Sequence, residues 1–388
     1  MKILHMISSG GMYGAEAVVL NMSRTLNEGP HRSMLGVFSN SSNPNLQLHE
    51  NATKEGIESY LIPCNGQIDR KAITRIRELV QRTGADVVHA HGYKADIYAY
   101  LALRTSGVSL VSTCHTWYDN DRKVFLYGVL DRLILRGYAR VVAVSEDVRQ
   151  RLLKSGVEAN KVSIIRNGID LRPFDRVSAA VKDALGWSAC PLIGLVGRLS
   201  VEKGVDIFLQ AAARVSAHCP DTRFVVAGDG PDRTELDALI DKLNIRDHVR
   251  MLGRYDDMPA LYASLDIMVS ASRREGLPIV LLEGMASRLP LVATAVDQVP
   301  TVIQNGRTGV LVPAEDPELL AAAIIELLGD PAERERLGSA ARQLVEDEFS
   351  AERMTTDYLR VYEDAIALMA KGRERRIAPS VTSRGGRE

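Results

Sequence analysis

At 388 residues the chain is too long for one ordinary hydrophobic core, so two domains are expected. Its 46% apolar and 25% charged residues are those of a soluble globular protein, and a net charge of −1 excludes a global field that would draw it to nucleic acid. Four widely spaced cysteines (Cys64, Cys114, Cys190 and Cys219) form no CxxC pair, which argues against a structural zinc site and for a reduced, cytoplasmic compartment.

The opening "MKILHMISSGG" is too short for a signal peptide and reads as a first strand and its loop. No apolar run reaches the roughly 18–20 residues of a membrane span. Through the first half, β-branched runs ("KILHMI", "MLGVF", "DVVHA", "SLVSTC", "RVVAV" and "VSII") alternate with helical stretches near 15–27, 69–83, 94–105, 123–137 and 146–154. Continuous apolar strands separated by helices predict a parallel sheet covered on both faces. After the first strand, "SSGGMYGAE" makes a glycine-rich turn in which Gly10 and Gly11 permit close approach of backbone to a ligand, or simply a tight strand-to-helix turn. It is not GxGxxG and lacks the distal acidic residue, so a dinucleotide site is not indicated. His89 alternates into its strand and reads as core, whereas His91 and His115 fall at strand exits on the ligand side, where they read either as ligand contacts or as satisfied structural histidines. "DND" (119–121) matches a short DxD metal pattern. The segment 119–140 mixes Phe125, Leu126, Leu130, Leu133 and Ile134 with five Lys/Arg and three Asp. It reads either as a core-facing helix or, over 122–140, as a surface for an anionic membrane.

Between 166 and 191 the pattern loosens around two prolines, which places the linker there and the domain boundary near 170. The alternation then restarts with "PLIGLVG", "RFVVAG", "VRMLG", "DIMVSAS", "PLVAT" and "GVLV", and with helical runs near 204–217, 232–243, 278–287, 316–329 and 331–347. The fold class is α/β: two doubly wound, Rossmann-like parallel-sheet domains, with ligands expected at the carboxyl ends of their strands. A last helix over 351–370 has no following strand. Residues 371–388, with six Lys/Arg against two Glu, read as a basic disordered tail.

Two constellations in the second domain carry chemistry. "GRLSVEKG" (197–204) sets Arg198 and Lys203 between glycines at a strand exit, where an arginine fork, a lysine point charge and a helix start suit a phosphate. A pair of solvated surface cations is the competing reading. In "REGLPIVLLEGMASRLP", Glu275 precedes a helix opened by Pro278, and Glu283 lies on its inner turns. Two such carboxylates suit sugar hydroxyls, although the spacing alone is common. Gly253 and Arg254, at the end of "VRMLG", are further candidate ligand contacts.

Together these pieces resemble retaining glycosyltransferases of family 4, with the GT-B fold. The resemblance runs over nearly the whole chain, through "GGMYGAE", "RNGID", "GRLSVEKG", "VVAGDGP", "SREGLPIVLLEGMASRLPLVAT" and "NGRTGVLVP". It implies two domains facing a cleft: an acceptor-side domain over 1–170 joined by the helix 351–370, and a donor domain over 171–350. It implies that Arg198 and Lys203 grip the donor diphosphate, that Glu283 holds the ribose, and that Glu275 binds the transferred hexose. Backbone groups of Gly276, Leu277, Ile279 and Val280 would face sugar and phosphate, with Gly10, Gly11 and His115 contributing from the first domain; His91, from its strand-exit position, is a further candidate substrate contact. Pro278 removes one N–H from that loop, and Asp297, Gln298 and Thr301 stand where many relatives carry a glycine pair and a glutamate. The implied activity is transfer of a hexosyl group from a nucleotide diphosphate sugar to an acceptor hydroxyl, on a glycan or lipid-linked saccharide. No metal or other cofactor is expected, and the protein would be cytoplasmic or peripheral on the inner membrane face. A nucleotide-sugar epimerase of the same fold, or a binding protein without turnover, are the alternatives.

Overall fold

The computed structural model describes residues 1–11, 14–41, 45–65, 69–115, 130–175, 177–275 and 279–377. The chain forms two compact units, the first made of Met1–Gly168 together with the segment from Ala351, the second of Ile169–Ser350.

In the first unit the elements follow as β1 (Lys2–Ile7), α1 (Gly14–Glu28), β2 (Arg32–Ser39), α2 (Gln47–Lys54), β3 (Glu58–Pro63), α3 (Arg70–Thr83), β4 (Val87–His91), α4 (Tyr93–Leu103), β5 (Ser109–Cys114), β6 (Arg140–Ala143), α5 (Glu146–Lys154) and β7 (Val162–Ile164). The strands pair in the order β3-β2-β1-β4-β5-β6-β7, parallel throughout. All residues of β4 and β5 are buried, as a central strand covered on both faces requires. Local signals set the helix ends. Asp69 caps α3 by accepting from the backbone N–H groups of Lys71 and Ala72, and Gly84 ends it in the left-handed region at φ 63°. Ser145 caps α5 through the Val148 N–H. Strand order reverses beside β1, so the topological switch lies between β1 and β4.

The second unit repeats the scheme. It contains α6 (Ala180–Ala184), β8 (Leu192–Val196), α7 (Val205–His218), β9 (Arg223–Ala227), α8 (Arg233–Lys242), β10 (Val249–Gly253), α9 (Met258–Ser264), β11 (Ile267–Ser270), α10 (Ile279–Ala286), β12 (Leu291–Thr294), α11 (Val299–Val302), β13 (Val310–Val312), α12 (Pro317–Gly329) and α13 (Pro331–Glu348). Its six parallel strands run β10-β9-β8-β11-β12-β13, with the switch between β8 and β11. The last helix, α14 (Ala351–Ile377), belongs to the first unit, where it packs on α1, β4 and β5. It continues beyond the 370 expected, to Ile377, because 371–377 contains no proline and only one glycine.

Three expectations have a more detailed outcome. Asp119 and Asp121 lie outside the described residues, as do Phe125 and Leu126. In the described part of 122–140, Ile134 and Leu135 are buried in the core of the unit while Leu130 and Leu133 are exposed. Among the described residues no helix is long and apolar enough to cross a membrane.

Candidate functional site

The three loops leaving β8, β9 and β11 press backbone against backbone. Gly197 N–H donates to the Ala227 carbonyl, and Leu199 N–H to that of Asp229, both at 3.0 Å. A Cβ on Gly204, which adopts φ 61°, would sit 1.9 Å from the Ala271 carbonyl oxygen, and one on Gly228 1.8 Å from that of Gly197. Only glycine tolerates both the positive φ and the approach at these two points.

That approach brings Lys203 to Glu275. Lys203 Nζ donates to both carboxylate oxygens, at 2.8 and 2.6 Å, and the Ser272 hydroxyl donates to Oε2 at 2.9 Å. The Glu275 side chain is 9% exposed and that of Lys203 26%, so one face of the pair meets solvent. Glu275 is also held by its backbone, whose N–H donates to Asp297 Oδ2 at 2.8 Å. Arg198 is exposed on the same β8 exit loop.

Arg273 fastens the Glu275 loop to the Lys203 turn. Its guanidinium donates to both Asp206 oxygens at 2.8 Å, to Glu315 Oε1 at 2.7 Å and to the Val201 carbonyl at 2.8 Å. Its N–H donates to the Glu202 carbonyl at 2.8 Å. The Arg273 hydrogen bonds hold the Asp206 carboxyl below its usual range, and Asp206 in turn raises Arg273. Thr294 adds a hydroxyl bond to the Ser272 carbonyl at 2.6 Å.

Glu283, on α10, accepts a hydrogen bond from the Tyr262 hydroxyl at 2.7 Å. Burial pushes the Glu283 carboxyl up, against the lowering effect of that bond, and pushes Tyr262 well up. Ile279 and Val280 open α10, so their N–H groups belong to the first turn, which has no intrahelical acceptors. Gly276 and Leu277 lie outside the described residues, as does Pro278. Gly253, at φ 69°, accepts at its carbonyl from Gly228 N–H at 2.8 Å, and Arg254 is exposed.

In the first unit, Gly10 is exposed and Gly11 buried after β1. The Ser9 hydroxyl donates to the Gly11 carbonyl at 2.9 Å, and Asn45 Nδ2 to that of Gly10 at 2.7 Å. His89 is fully buried, as its strand position implies. His91 differs from the expectation of a ligand contact. It is 4% exposed, and its ring nitrogens meet His5 Nδ1 at 3.1 Å and His115 Nε2 at 3.3 Å. His115 is half-buried at the exit of β5. Burial lowers all four histidines: His5 to about 3, His115 to about 4, and His89 and His91 well below the ordinary value.

Sequence reading missed Ser272, Arg273, Asp206, Tyr262 and His5, and took Asp297 only as a departure from a pattern. The i,i+3 spacing of Ser272 and Glu275 was a usable signal; the partners of Arg273 and Tyr262 are set by tertiary approach alone.

Fold and site together define a two-unit, Rossmann-like protein of the GT-B class. Residues 184–344 match the family described as Glycosyl transferases group 1, and 12–172 that described as Glycosyltransferase Family 4. The chain is 31% identical over 297 residues to an alpha-D-kanosaminyltransferase of Streptomyces kanamyceticus, covering 72% of this chain and 77% of that one. It is 30% identical over 336 residues to an N-acetyl-alpha-D-glucosaminyl L-malate synthase of Bacillus anthracis, covering 83% and 85%. Among solved structures, Anabaena HepE crystallised with UDP and glucose superposes with a TM-score of 0.80 at 20% identity, over 94% of this chain and 99% of that one. Sucrose-phosphate synthase of Thermosynechococcus elongatus does so with 0.76 at 20% identity, over 95% and 99%. The chain belongs to family 4 of the glycosyltransferases, the glycosyl transferases group 1.

Proposed function

We propose that the protein is a retaining hexosyltransferase that uses a nucleotide diphosphate sugar and needs no metal. The observation that carries this reading is the meeting of Lys203 and Glu275 at the carboxyl ends of β8 and β11, beside the exposed Arg198. Breaking the anomeric bond builds negative charge on the diphosphate. Arg198 and Lys203 supply the cations that stabilise it, Lys203 already held by Glu275, and removing one preorganised donor of this kind costs roughly 10²–10³ in rate. Glu275, held at both its carboxylate and its N–H, positions the hexose hydroxyls. Glu283 accepts the ribose hydroxyls with the carboxylate oxygen that Tyr262 leaves unused. With no carboxylate assigned as nucleophile, the acceptor attacks on the face the leaving group vacates, and a phosphate oxygen takes its proton.

The acceptor is a glycan or lipid-linked saccharide of envelope polysaccharide or glycoconjugate assembly. Exposure of Leu130 and Leu133 near Arg132 and Arg136 supports contact of this segment with an anionic membrane surface. Liposome co-sedimentation at two salt concentrations tests that contact, and no binding at low salt removes it.

A donor panel read by thermal shift, then acceptor screening with lipid-linked saccharides in excess chelator, tests the reading. Free nucleoside diphosphate with an α-linked product from an α-linked donor is the expected result. An altered sugar still on its nucleotide indicates epimerisation, and loss of turnover in chelator restored by manganese overturns metal independence.

A further inference from the structure

The first unit holds a row of imidazoles. His5 on β1 pairs in register with His89 on β4, and His91 follows two residues on, so all three side chains share one face of the sheet. His5 Nδ1 meets His91 Nε2 at 3.1 Å, and His91 Nδ1 meets His115 Nε2 at 3.3 Å. In such a row each ring passes its tautomer to the next, because a neutral imidazole has one donor and one acceptor.

The direction of the row follows from its inner end. His5 is fully buried, and among the described residues its Nε2 has no hydrogen-bond partner. An orphaned buried N–H is rarer and costlier than an orphaned acceptor. Nε2 of His5 is therefore the bare nitrogen and Nδ1 carries the proton. His5 Nδ1–H donates to His91 Nε2, and His91 Nδ1–H donates to His115 Nε2. His115 is left with its proton on Nδ1.

His89 stays outside the row. The Tyr362 hydroxyl donates to Met22 Sδ at 3.6 Å, so it accepts from His89 Nδ1–H at 2.8 Å. His89 Nε2 then accepts from Thr113 Oγ1 at 2.7 Å, and Thr113 accepts from the Tyr358 hydroxyl at 2.9 Å. The His5, His89 and His91 nitrogens lie within 4.8 Å of one another, a spacing compatible with a metal ion. Engagement of both His89 nitrogens by hydroxyls favours the hydrogen-bonded reading.

We propose that His5 and His91 are positioning residues that fix His115 as a neutral imidazole with its proton on Nδ1, so that His115 presents a hydrogen-bond donor to a ligand oxygen at the carboxyl end of β5. The inference rests on the glycosyl-transfer reading only in expecting that oxygen to belong to a sugar. Burial, which holds His5 near 3 and His115 near 4, keeps the row uncharged at neutral pH.

Long-range ¹H–¹⁵N spectra of the full chain labelled with ¹⁵N-histidine test this, with His115 assigned by His115→Gln. A pyrrole-type Nδ1 and pyridine-type Nε2 on His115, His91 and His5 are expected. In His5→Phe the His115 signals should become a tautomer mixture and kcat/KM should fall about tenfold, the size of one oriented hydrogen bond. His5→Asn, whose amide N–H stands where Nδ1–H was, should recover most of that loss and return the His115 pattern. Circular dichroism and thermal shift with nucleotide confirm that both variants fold and still bind at the second unit. The opposite tautomer on His115, an unchanged His115 pattern in His5→Phe, or a stoichiometric transition metal in the isolated protein that His5→Phe loses, each overturns the proposal. Failure of the wild type to turn over any nucleotide sugar sinks the function but leaves the tautomer result standing.

Discussion

The backbone N–H of Glu275 donates to the carboxylate of Asp297, 2.8 Å away and on the loop after β12. Asp297 itself sits at φ 43°, a left-handed conformation that costs most non-glycine residues but that aspartate and asparagine adopt more readily. Asp297 thus holds in place the loop that carries Glu275.

Asp297→Ala should remove this support and keep the unfavourable φ. We expect a loss of about 2 kcal/mol in stability, the scale of a hydrogen bond to a charged group plus local strain. Donor kcat/KM should fall about tenfold as Glu275 loses its fixed position. Asp297→Asn keeps an acceptor oxygen and tolerates the conformation, so it should restore most of both. Thermal melts with donor kinetics on the two variants check this; equal loss in both would mean that charge, not hydrogen bonding, matters at 297.

The Lys203–Glu275 pair gives a signed prediction. Lys203→Met leaves the Glu275 carboxylate, 9% exposed, with Ser272 as its side-chain donor. We expect about 2 kcal/mol of destabilisation, below the range for a fully buried pair because the lysine is partly solvated. Lys203→Met with Glu275→Gln removes both charges and should be more stable than Lys203→Met alone. A double-mutant cycle by denaturant unfolding measures this, and additive losses would show that the two groups do not interact.

What the sequence made legible follows from where information is stored. Buried strands such as β4 and β8 announce themselves by continuous apolar runs, and all six strands expected in the second unit are present. The edge strand Glu58–Pro63 escaped because only Ile62 is buried, so it shows no periodicity. Arg198, Lys203, Glu275 and Glu283 were legible as residue types at set spacings between glycines. Asp297, Arg273 and Tyr262 were not, because each reaches the site through the packing of one loop on another. His5 was hidden in the same way: only the pairing of β1 with β4 shows it to be His91's neighbour.

Two glycines with similar φ should behave very differently. Gly204 and Gly253 adopt φ 61° and 69°. A Cβ at Gly253 meets nothing within 4 Å, so Gly253→Ala should lose only about 1–2 kcal/mol for the left-handed backbone. At Gly204 the same Cβ falls 1.9 Å from the Ala271 carbonyl oxygen, which would force the Lys203 turn away from the Glu275 loop. Gly204→Ala should cost about 4 kcal/mol or more and abolish nucleotide-dependent thermal stabilisation. Equal melting temperatures for the two variants would contradict the close approach of these loops.

Three buried histidines and the half-buried His115 make the first unit acid-sensitive in a defined window. His5 titrates at about 3 and His115 at about 4 in the fold, against 6.5 for an unperturbed histidine, and His89 and His91 are also well lowered. Between those values and 6.5 the unfolded chain binds protons that the folded chain refuses. Stability from these groups is therefore complete above 6.5 and lost as the pH falls, by about 1.4 kcal/mol per pH unit for each histidine that stays neutral. For His115 the loss is complete near pH 4, and for His5 near pH 3. Among the described side chains of α14 no acid is buried; those buried include Tyr358 and Tyr362, phenols raised by burial, so none of these offsets the cost of protonation. Hydrogen exchange should show β1, β4 and β5 losing protection between pH 6.5 and 5 before β8 and β11, whose unit carries no such row among its described residues. His5→Phe should make the pH dependence shallower by about one proton in that window, and an unchanged slope would mean that His5 is not held neutral by the fold.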